Sequence, residues 1–197
     1  MKNKNGRKIG IGLMTFGGLL ILAALVLFCK NVWDDISAGR MSEGILPDVI
    51  EQTEHPDTGF YGLDMPVRKI GEYYYIGYLS IPDLNLKLPV MADWDYDQLK
   101  ISPCRYTGSV KTDDLVIAAH NYSRHFGRIK DLSEGSEVIF TGMDGVSFCY
   151  EAVTVERLEA FDIEEMTAGD YDLTLFTCTY GGKSRITLRC QRTQEGG

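Results

Sequence analysis

An uncharged apolar segment near the N-terminus constrains this chain more than any other feature. Residues 9–29, IGIGLMTFGGLLILAALVLFC, contain no charged side chain. As a helix rising about 1.5 Å per residue, the segment spans roughly 30 Å, the thickness of the hydrocarbon core of a bilayer. We therefore predict a transmembrane helix at 9–29 that anchors the chain in the cell membrane as a single-pass protein.

The charges on the two sides of this segment predict its orientation. Four basic residues and no acidic residue lie within residues 1–8, whereas all 28 acidic residues of the chain follow the apolar segment. By the positive-inside rule, residues 1–8 are cytoplasmic and residues 30–197 are extracytoplasmic. Nucleic-acid binding depends on clustered Lys and Arg, so the acidic remainder of the chain excludes it.

Two other kinds of N-terminal signal fit the sequence less well. A cleaved signal peptide has a shorter apolar run and a small-residue cleavage site, which the following residues CKNVWDD do not provide. A lipoprotein signal ending at Cys29 needs a small residue before that cysteine, and the bulky Phe28 stands there. An uncleaved anchor is the interpretation that remains.

The residues after the anchor divide into a predicted stalk, 30–70, and a predicted folded domain, 71–197. Within the stalk, MSEGILPDVIEQTE (41–54) predicts a short amphipathic helix interrupted near Pro47, and HPDTGFYG is rich in turn-forming residues. Beyond Gly71 the character of the sequence changes to short apolar and β-branched segments.

These segments predict seven or eight strands, because they alternate in polarity or are rich in β-branched and aromatic residues. The predicted strands are 73–81, 84–91, 114–120, 136–141, 146–158, 172–178 and 184–191. Their spacing and the turn signals between them favour an all-β fold, a closed or nearly closed barrel with short helical pieces such as 125–132.

The five cysteines show neither a disulfide framework nor the paired CxxC spacing of a zinc site. We interpret Cys104, Cys149 and Cys190 as packing residues. A bridge between Cys149 and Cys190, on adjacent strands, is the alternative.

A cysteine at the end of a predicted strand is the candidate nucleophile. Cys178 ends the segment LTLFTC, and Arg185 opens the next strand after a Gly-Gly turn. Of the three histidines, His55 lies in the stalk, His120 ends a predicted strand, and His125 lies in the turn that follows. A nearby imidazole serves a thiol as acid and base, and a guanidinium stabilises an oxyanion or orients a peptide. We predict these roles for His120 and Arg185, with His125 as the alternative base.

Three segments together resemble the sortase family. TLFTC, with an arginine at the start of the next strand, resembles the TLxTC…R signature. IAAHNYSRHFGRIKDL resembles the sortase histidine motif, and GYLSIPDLNLKLPV resembles the opening hairpin of the family. The motifs occur in the family's order between Gly71 and Arg192, behind an N-terminal anchor. The resemblance implies an eight-stranded closed β-barrel with short helices, preceded by one transmembrane helix.

The resemblance also implies a reaction. Sortases are cysteine transpeptidases of Gram-positive bacteria that cleave a C-terminal, often LPxTG-like, sorting signal of secreted proteins. By similarity, Cys178 forms a thioacyl enzyme, His120 protonates the leaving amine, and Arg185 holds the oxyanion and the peptide. Thr177 matches a position that supports the oxyanion through its backbone or hydroxyl. An amino group of a peptidoglycan precursor or of a pilin lysine then resolves the intermediate.

Other polar residues near the signature receive a simpler interpretation. Arg185 and Arg189 share a face of the predicted strand, and Arg189 and Arg192 are predicted to be solvated at the strand end. The segment 157–171 is predicted to be a solvated acidic loop that shapes the signal-binding groove. Its carboxylates, Glu159, Asp162, Glu164 and Glu165, offer a calcium site as the alternative; no other metal or cofactor is predicted.

The class of sortase stays open between class D-like and class B-like. The 15 residues of 157–171 leave little room for the long helix typical of class B, whereas HNYSRHFG is similar to class B. The stalk lacks an obvious Asp-Pro-aromatic lid, and no second anchor follows Arg192, so a class C pilin polymerase is less favoured. Two further alternatives are a cysteine peptidase that hydrolyses its acyl enzyme and a non-enzymatic, membrane-tethered β-barrel binding module.

Overall fold

The computed structural model describes residues 4–55 and 65–195 of the chain. The chain divides into two compact units, Met1–Ser37 and Ala38–Gly197. Helix α1 (Lys4–Glu54) supplies residues to both units. Residues 56–64, which contain most of the turn-rich part of the predicted stalk, lie outside the described residues. The predicted domain boundaries stay predictions.

In the first unit, α1 exposes nearly all of its large apolar side chains. Leu13, Phe16, Leu22 and Phe28 are each more than half exposed. Among the described residues, α1 is the one helix long enough and apolar enough to cross a membrane. The helix predicted from the uncharged segment is therefore present, and its apolar surface has the character of a lipid-facing span.

Helix α1 continues through Pro47, so the interruption predicted near this residue is wrong. A proline inside a helix removes one backbone hydrogen bond and crowds the preceding turn, at a cost of about 3 kcal/mol. Tertiary packing offsets this cost, because Ala38, Ser42, Val49 and Thr53 are buried within the second unit. Part of the predicted stalk, residues 38–54, thus packs with the barrel.

The second unit is built around a closed β-barrel. Its strands are β1 (Arg68–Ile70), β2 (Tyr73–Ile81), β3 (Leu86–Met91), β4 (Cys104–Thr107), β5 (Leu115–Ala119), β6 (Glu137–Gly142), β7 (Ser147–Glu159), β8 (Leu173–Cys178) and β9 (Ser184–Glu195). The order around the barrel is β2-β3-β4-β5-β8-β9-β7-β6, and β6 pairs with β2 to close it. The predicted eight-stranded barrel is confirmed, and β1 extends the sheet beside β2.

Short helices join the strands. The α-helices are α2 (Tyr96–Leu99) and α3 (Ile163–Thr167), and 3-10 helices lie at Pro82–Leu84 and Phe126–Asp131. The helical piece predicted at 125–132 is therefore confirmed, although it is a 3-10 helix. Two strands were missed, β1 and β4, because segments of three and four residues are too short to show a period of two.

One glycine is required where the barrel closes. Gly77 on β2 lies opposite Gly142 on β6 and has a φ of 147°. A Cβ at Gly77 would lie 2.0 Å from the carbonyl oxygen of Thr141. Any side chain at this position would therefore push the two strands apart.

Alternation along the strands gives the barrel an apolar interior and a second apolar layer on its outer surface. On β8, Leu173 and Leu175 belong to the interior cluster, whereas Phe176 packs in the outer cluster with Met166 of α3. Complete burial of such a side chain stabilises the fold by about 1.5–3 kcal/mol. Because strand residues two apart share a face, Cys178 lies on the outer face with Phe176.

The described cysteines are all free thiols, so the suggested Cys149–Cys190 bridge is wrong. The register explains this result, because Cys190 pairs with Ala152 while Cys149 pairs with Gln194. Burial raises the pKa of Cys104 and that of Cys190 to about 12. Their thiols stay protonated at neutral pH and serve as packing groups.

Candidate active site

Two neighbouring parallel strands bring the predicted histidine and cysteine to the same end of the barrel. Strands β5 and β8 pair in parallel, with Ala119 opposite Thr177. His120 and Cys178 are the next residues on each strand. Since parallel strands end at the same edge of a sheet, the two residues lie at the same end of the barrel although 58 positions separate them in the sequence.

A tight hairpin then returns the chain past the cysteine. Strands β8 and β9 are antiparallel, and Arg185 lies directly opposite Cys178. In the connecting turn, Gly181 and Gly182 have φ angles of 84° and 70°, which favour glycine. The backbone N–H of Gly182 donates to the carbonyl of Thr179 at 2.8 Å. The Gly-Gly turn thus sets the register of the hairpin, in which Arg185 lies opposite Cys178.

His120, Cys178 and Arg185 line one pocket of about 180 Å³. Its remaining lining is mostly apolar and comes from three places: the segment around α2 (Trp94, Tyr96, Leu99), the sheet (Tyr106, Ala118, Ala119, Phe176), and the connection that carries α3 (Ala160, Ile163, Met166). The pocket therefore joins an ionisable end to an apolar body, as peptide and ligand sites commonly do.

An aromatic wall on one side of the pocket was not predicted. The ring of Trp94 packs edge-on against Tyr96 at 5.2 Å and against Tyr106 at 5.9 Å. Tyr106 in turn packs against Phe176 at 5.3 Å. Asp95 caps α2 by accepting from the backbone N–H of residue 97 at 2.7 Å, which orders the segment that presents Trp94 and Tyr96. The alternating aromatic and acidic residues of DWDYD are the sequence signal that was missed.

Burial and a nearby positive charge both act on His120. The pKa of its imidazole is lowered below 6.5, chiefly by burial and secondly by the positive charge of Lys100. Its Nε2 is buried and hydrogen-bonds to no described residue. The ring of Tyr122 lies 4.9 Å away, measured between ring centroids. His120 is therefore a neutral imidazole at neutral pH, which is able to accept a proton.

Arg185 keeps most of its hydrogen-bonding capacity unused. Within the described part of the chain, its Nη1 donates to the carbonyl of Gly182 at 3.3 Å, and this is its one hydrogen bond. A guanidinium has five N–H donors in a planar fork, suited to a carbonyl or carboxylate. Arg185 can therefore donate to a group bound in the pocket.

The side chain of Thr177 does not line this pocket. Thr177 is buried, and it lies on the inner face of β8, opposite to Cys178. Its hydroxyl has no hydrogen-bond partner among the described residues. Only its backbone is close to the cysteine. The structure therefore gives no support to a role of the Thr177 hydroxyl in binding the oxyanion.

His125 also lies outside the pocket lining. It precedes the 3-10 helix at Phe126–Asp131 and is fully buried. Its Nε2 lies 3.1 Å from the hydroxyl of Ser42 on α1. Ser42 also donates to the carbonyl of Ile101 at 2.5 Å. His125 thus takes part in packing α1 on the barrel, which leaves His120 as the histidine of the pocket.

The prediction that Arg189 and Arg192 are solvated is wrong. Arg189 is 2% exposed, and its Nε pairs with the Glu156 carboxylate at 2.6 Å. Arg192 is partly buried and pairs with Asp113 at 2.7 Å. Arg189 does share the outer face with Arg185, but the connection between β7 and β8 covers it, and no local pattern in the sequence predicts that cover.

The acidic segment 157–171 forms the end of β7, a turn, α3 and the approach to β8. Asp162 accepts from the backbone N–H of Glu159 at 3.2 Å. Among the described residues, no group of three or more Asp, Glu, His or Cys side chains is arranged to hold a metal ion. The calcium alternative stays a prediction.

Comparison with known proteins agrees with this geometry. The family model for the sortase domain matches residues 79–193, and no curated protein matches the chain. The solved sortase D5 transpeptidase of Clostridium perfringens is 16% identical with a TM-score of 0.60, over 78% of this chain and 99% of that one. Streptococcus pneumoniae sortase C is 18% identical with a TM-score of 0.55, over 83% and 96% of the two chains. Listeria monocytogenes sortase A is 14% identical with a TM-score of 0.56, over 62% and 91%.

At these identities the solved structures establish the fold, and they include sortases of classes A, C and D, so the class stays open. The family model spans more than half of the chain. This match to an enzyme family argues against the alternative of a non-enzymatic binding module. This chain belongs to the sortase family and is a cysteine transpeptidase.

Proposed function

We propose that Cys178 is the nucleophile of a transpeptidation for which His120 is the acid and base and Arg185 the oxyanion donor. The observation that carries the proposal is the single pocket that these three residues line. The strand register sets the relative positions of the three residues. Cys178 of β8 lies opposite Arg185 of β9, and Ala119, the residue before His120, lies opposite Thr177, the residue before Cys178.

The proposed reaction has two halves. In the first, the Cys178 thiol gives its proton to the His120 imidazole, and the sulfur attacks the carbonyl carbon of the scissile peptide bond. An S–C bond forms, the C–N bond breaks, and the imidazolium gives its proton to the leaving amine. In the second half, an acceptor amine gives a proton to the His120 imidazole and attacks the thioester carbonyl. A new C–N amide bond forms, the S–C bond breaks, and the proton returns from His120 to the sulfur to regenerate the thiol. Arg185 donates to the oxygen that becomes negative in each half.

The donor we propose is a secreted protein with a C-terminal, LPxTG-like sorting signal. Two features support an apolar peptide as donor: the aromatic wall of Trp94, Tyr96 and Tyr106, and the apolar side chains of Ile163 and Met166 in the same pocket lining. Apolar side chains of a peptide gain about 25 cal/mol for each Å² that such walls remove from water.

The acceptor we propose is the amino group of a peptidoglycan precursor, with a pilin lysine as the alternative. The structure of sortase C from Streptococcus pneumoniae was analysed in terms of pilin substrate specificity. We therefore retain a pilin lysine as the alternative acceptor. We further propose that the apolar part of α1 anchors the enzyme in the cell membrane with residues 1–8 in the cytoplasm. The basic residues before that segment support this orientation.

The test is a transfer assay with the full-length chain in detergent micelles. A library of LPxTG-like peptides is incubated with oligoglycine or with a lysine-containing peptide, and the products are identified by mass spectrometry. We expect at least one amide-linked transfer product, and none with Cys178→Ala. Cys149→Ala is the matched control and should retain activity, because Cys149 is half-buried and does not line the pocket. Hydrolysis without transfer would identify a peptidase, and the absence of any product would refute the proposal.

A further inference from the structure

A buried arginine on the outer face of the barrel contacts the connection that forms one wall of the pocket. Arg189 lies four residues beyond Arg185 on β9, roughly 13 Å along the strand at 3.3 Å per residue. At that distance its guanidinium is out of reach of the reacting atoms at Cys178. Its contacts instead join three elements of the fold: β7, β8 and the connection between them.

Each part of the guanidinium has a partner. Nε pairs with the Glu156 carboxylate of β7 at 2.6 Å, and Nη1 donates to the Thr174 hydroxyl of β8 at 3.1 Å. Nη1 also donates to the carbonyl of Met166 at 2.8 Å, and Nη2 donates to the carbonyl of Glu165 at 2.7 Å. The latter two carbonyls belong to the last residues of α3, which a helix end leaves without internal partners.

The segment held by these bonds is a wall of the pocket. Ala160, Ile163 and Met166 line the pocket that contains Cys178, and the first two precede the carbonyls that Arg189 binds. Helix α3 has only five residues, and the side chain of its N-cap residue, Asp162, makes no capping hydrogen bond to the N–H groups of the helix. So short a helix is not stable by itself, so its position depends on contacts with the sheet.

We propose that Arg189 is a positioning residue that fixes the α3 wall of the donor-peptide groove. Lysine cannot replace it, because a compact ammonium with three donors cannot bridge a carboxylate and two carbonyls in the geometry of the planar fork. Loss of the fork releases the C-terminal end of α3 and weakens peptide binding, while the chemistry at Cys178 is preserved.

The first test measures the wall without relying on the proposed function. Amide hydrogen exchange is compared between the full-length wild-type chain and Arg189→Lys in detergent micelles. We expect exchange over residues 160–167 to become at least about tenfold faster, with β5 and β8 unchanged, because local opening is limited to the released segment. Arg192→Lys is the matched control: it is the same change in a second arginine of β9, which is partly buried and pairs with Asp113 instead of contacting α3. Unchanged exchange over 160–167, or equal acceleration throughout the barrel, would overturn the inference.

The second test measures catalysis, and it rests on the function proposed above. For an LPxTG-like donor peptide, Arg189→Lys should raise KM about tenfold with kcat within about twofold of wild type, which corresponds to about 1.4 kcal/mol of lost binding. The rate of Cys178 alkylation by iodoacetamide should stay unchanged, because this small reagent needs no groove. A parallel loss of kcat and of alkylation would indicate a general structural role and overturn the positioning role.

A double-mutant cycle identifies the route of the effect. Ile163→Ala truncates the wall itself, so Arg189→Lys should raise KM much less in that background than in the wild type. Fully additive effects would show that Arg189 acts by another route. If Arg189→Lys does not fold, Glu156→Gln replaces it in both tests, because it loosens the guanidinium while the exposed side of Glu156 tolerates the change. That variant should accelerate exchange over 160–167 and raise KM by a smaller factor, and unchanged values would overturn the inference.

Discussion

Two arginines on the same face of one strand, Arg185 and Arg189, lie in opposite environments. Arg185 lines the pocket and pairs with Cys178 across the strands, with one hydrogen bond to the carbonyl of Gly182. Arg189 is 2% exposed and contacts a carboxylate, a hydroxyl and two backbone carbonyls. A guanidinium with four hydrogen bonds to its own protein stabilises the fold, whereas one with a single such bond has donors available to a substrate.

The two environments differ because only one of the two arginines is covered by another part of the chain. The connection between β7 and β8 folds over Arg189, and its Tyr171 ring lies 5.3 Å from the guanidinium carbon. That cover leaves the end of β8 open, where the pocket begins. The same sequence alternation thus produces a structural residue under the connection and a candidate catalytic residue beyond it.

The largest expected effect is on catalysis at the open end. Arg185→Ala should lower kcat for peptide transfer roughly 10²–10³-fold, because one oxyanion donor is worth that much in comparable sites. Its half-exposed position predicts little change in thermal stability, within about 0.5 kcal/mol. Steady-state kinetics and a melting curve together test this, and a wild-type kcat would remove Arg185 from the mechanism.

At the covered end the expected effect is on stability. Arg189→Met should lower the free energy of unfolding by about 2–3 kcal/mol, because the carbonyls of residues 165 and 166 lose their buried donors. Glu156 is 34% exposed, so its carboxylate can be rehydrated and adds little to this loss. Denaturant unfolding in micelles measures the change, and Arg192→Met, at a more exposed site, should cost less. Equal stability of Arg189→Met and wild type would contradict a stabilising role of Arg189.

The aromatic wall should affect binding more than chemistry. Trp94→Ala should raise the KM for a donor peptide several-fold, about 1 kcal/mol, since an aromatic contact of this kind contributes on that scale. Tyr74→Ala is the matched control, because Tyr74 is also an exposed ring but lies on β2 and does not line the pocket. The same KM in both variants would mean that the peptide does not use this wall.

The smallest expected effect concerns a third positive charge near the pocket. The pKa of His120 is lowered by burial and by Lys100, so Lys100→Gln should raise it slightly while burial still holds it below 6.5. An NMR titration of the imidazole protons measures the shift. A midpoint above 6.5 in the wild type would contradict the buried, neutral imidazole.

The same shift has a consequence for stability. An unfolded chain binds a proton at His120 near pH 6.5, before the folded chain does. As the pH falls from 6.5 through the lowered pKa, His120 therefore reduces the free energy of unfolding, and it reduces it no further below that pKa. His120→Gln should make the unfolding curve less pH-dependent in this window, and an unchanged dependence would contradict the lowered pKa.

Much of the barrel was predictable, because its longer strands show local alternation. The strand 73–81 was predicted with the bounds that β2 has, and the predicted ends of the other long strands are close to those observed. The short strands β1 and β4 were missed since their pairing depends on distant partners: β4 joins β3 through a single register pair, Met91 with Cys104.

The candidate site divides in the same way. Cys178, His120 and Arg185 were identified by short motifs, and the structure brings all three to one pocket. The burial of Arg189, the aromatic wall and the passage of α1 through Pro47 depend on tertiary packing, which no local pattern encodes. The absence of a Cys149–Cys190 bridge among the described thiols follows from a strand register that the sequence does not specify.

The most direct test of the account locates the acyl group. The full-length chain is incubated with a donor peptide that supports transfer, quenched in acid, and mapped by mass spectrometry without added acceptor. We expect the mass of the cleaved peptide on Cys178 alone, with Cys29, Cys104, Cys149 and Cys190 unmodified. An acyl group on the other half-buried cysteine, Cys149, or transfer in a Cys178→Ala variant, would contradict it.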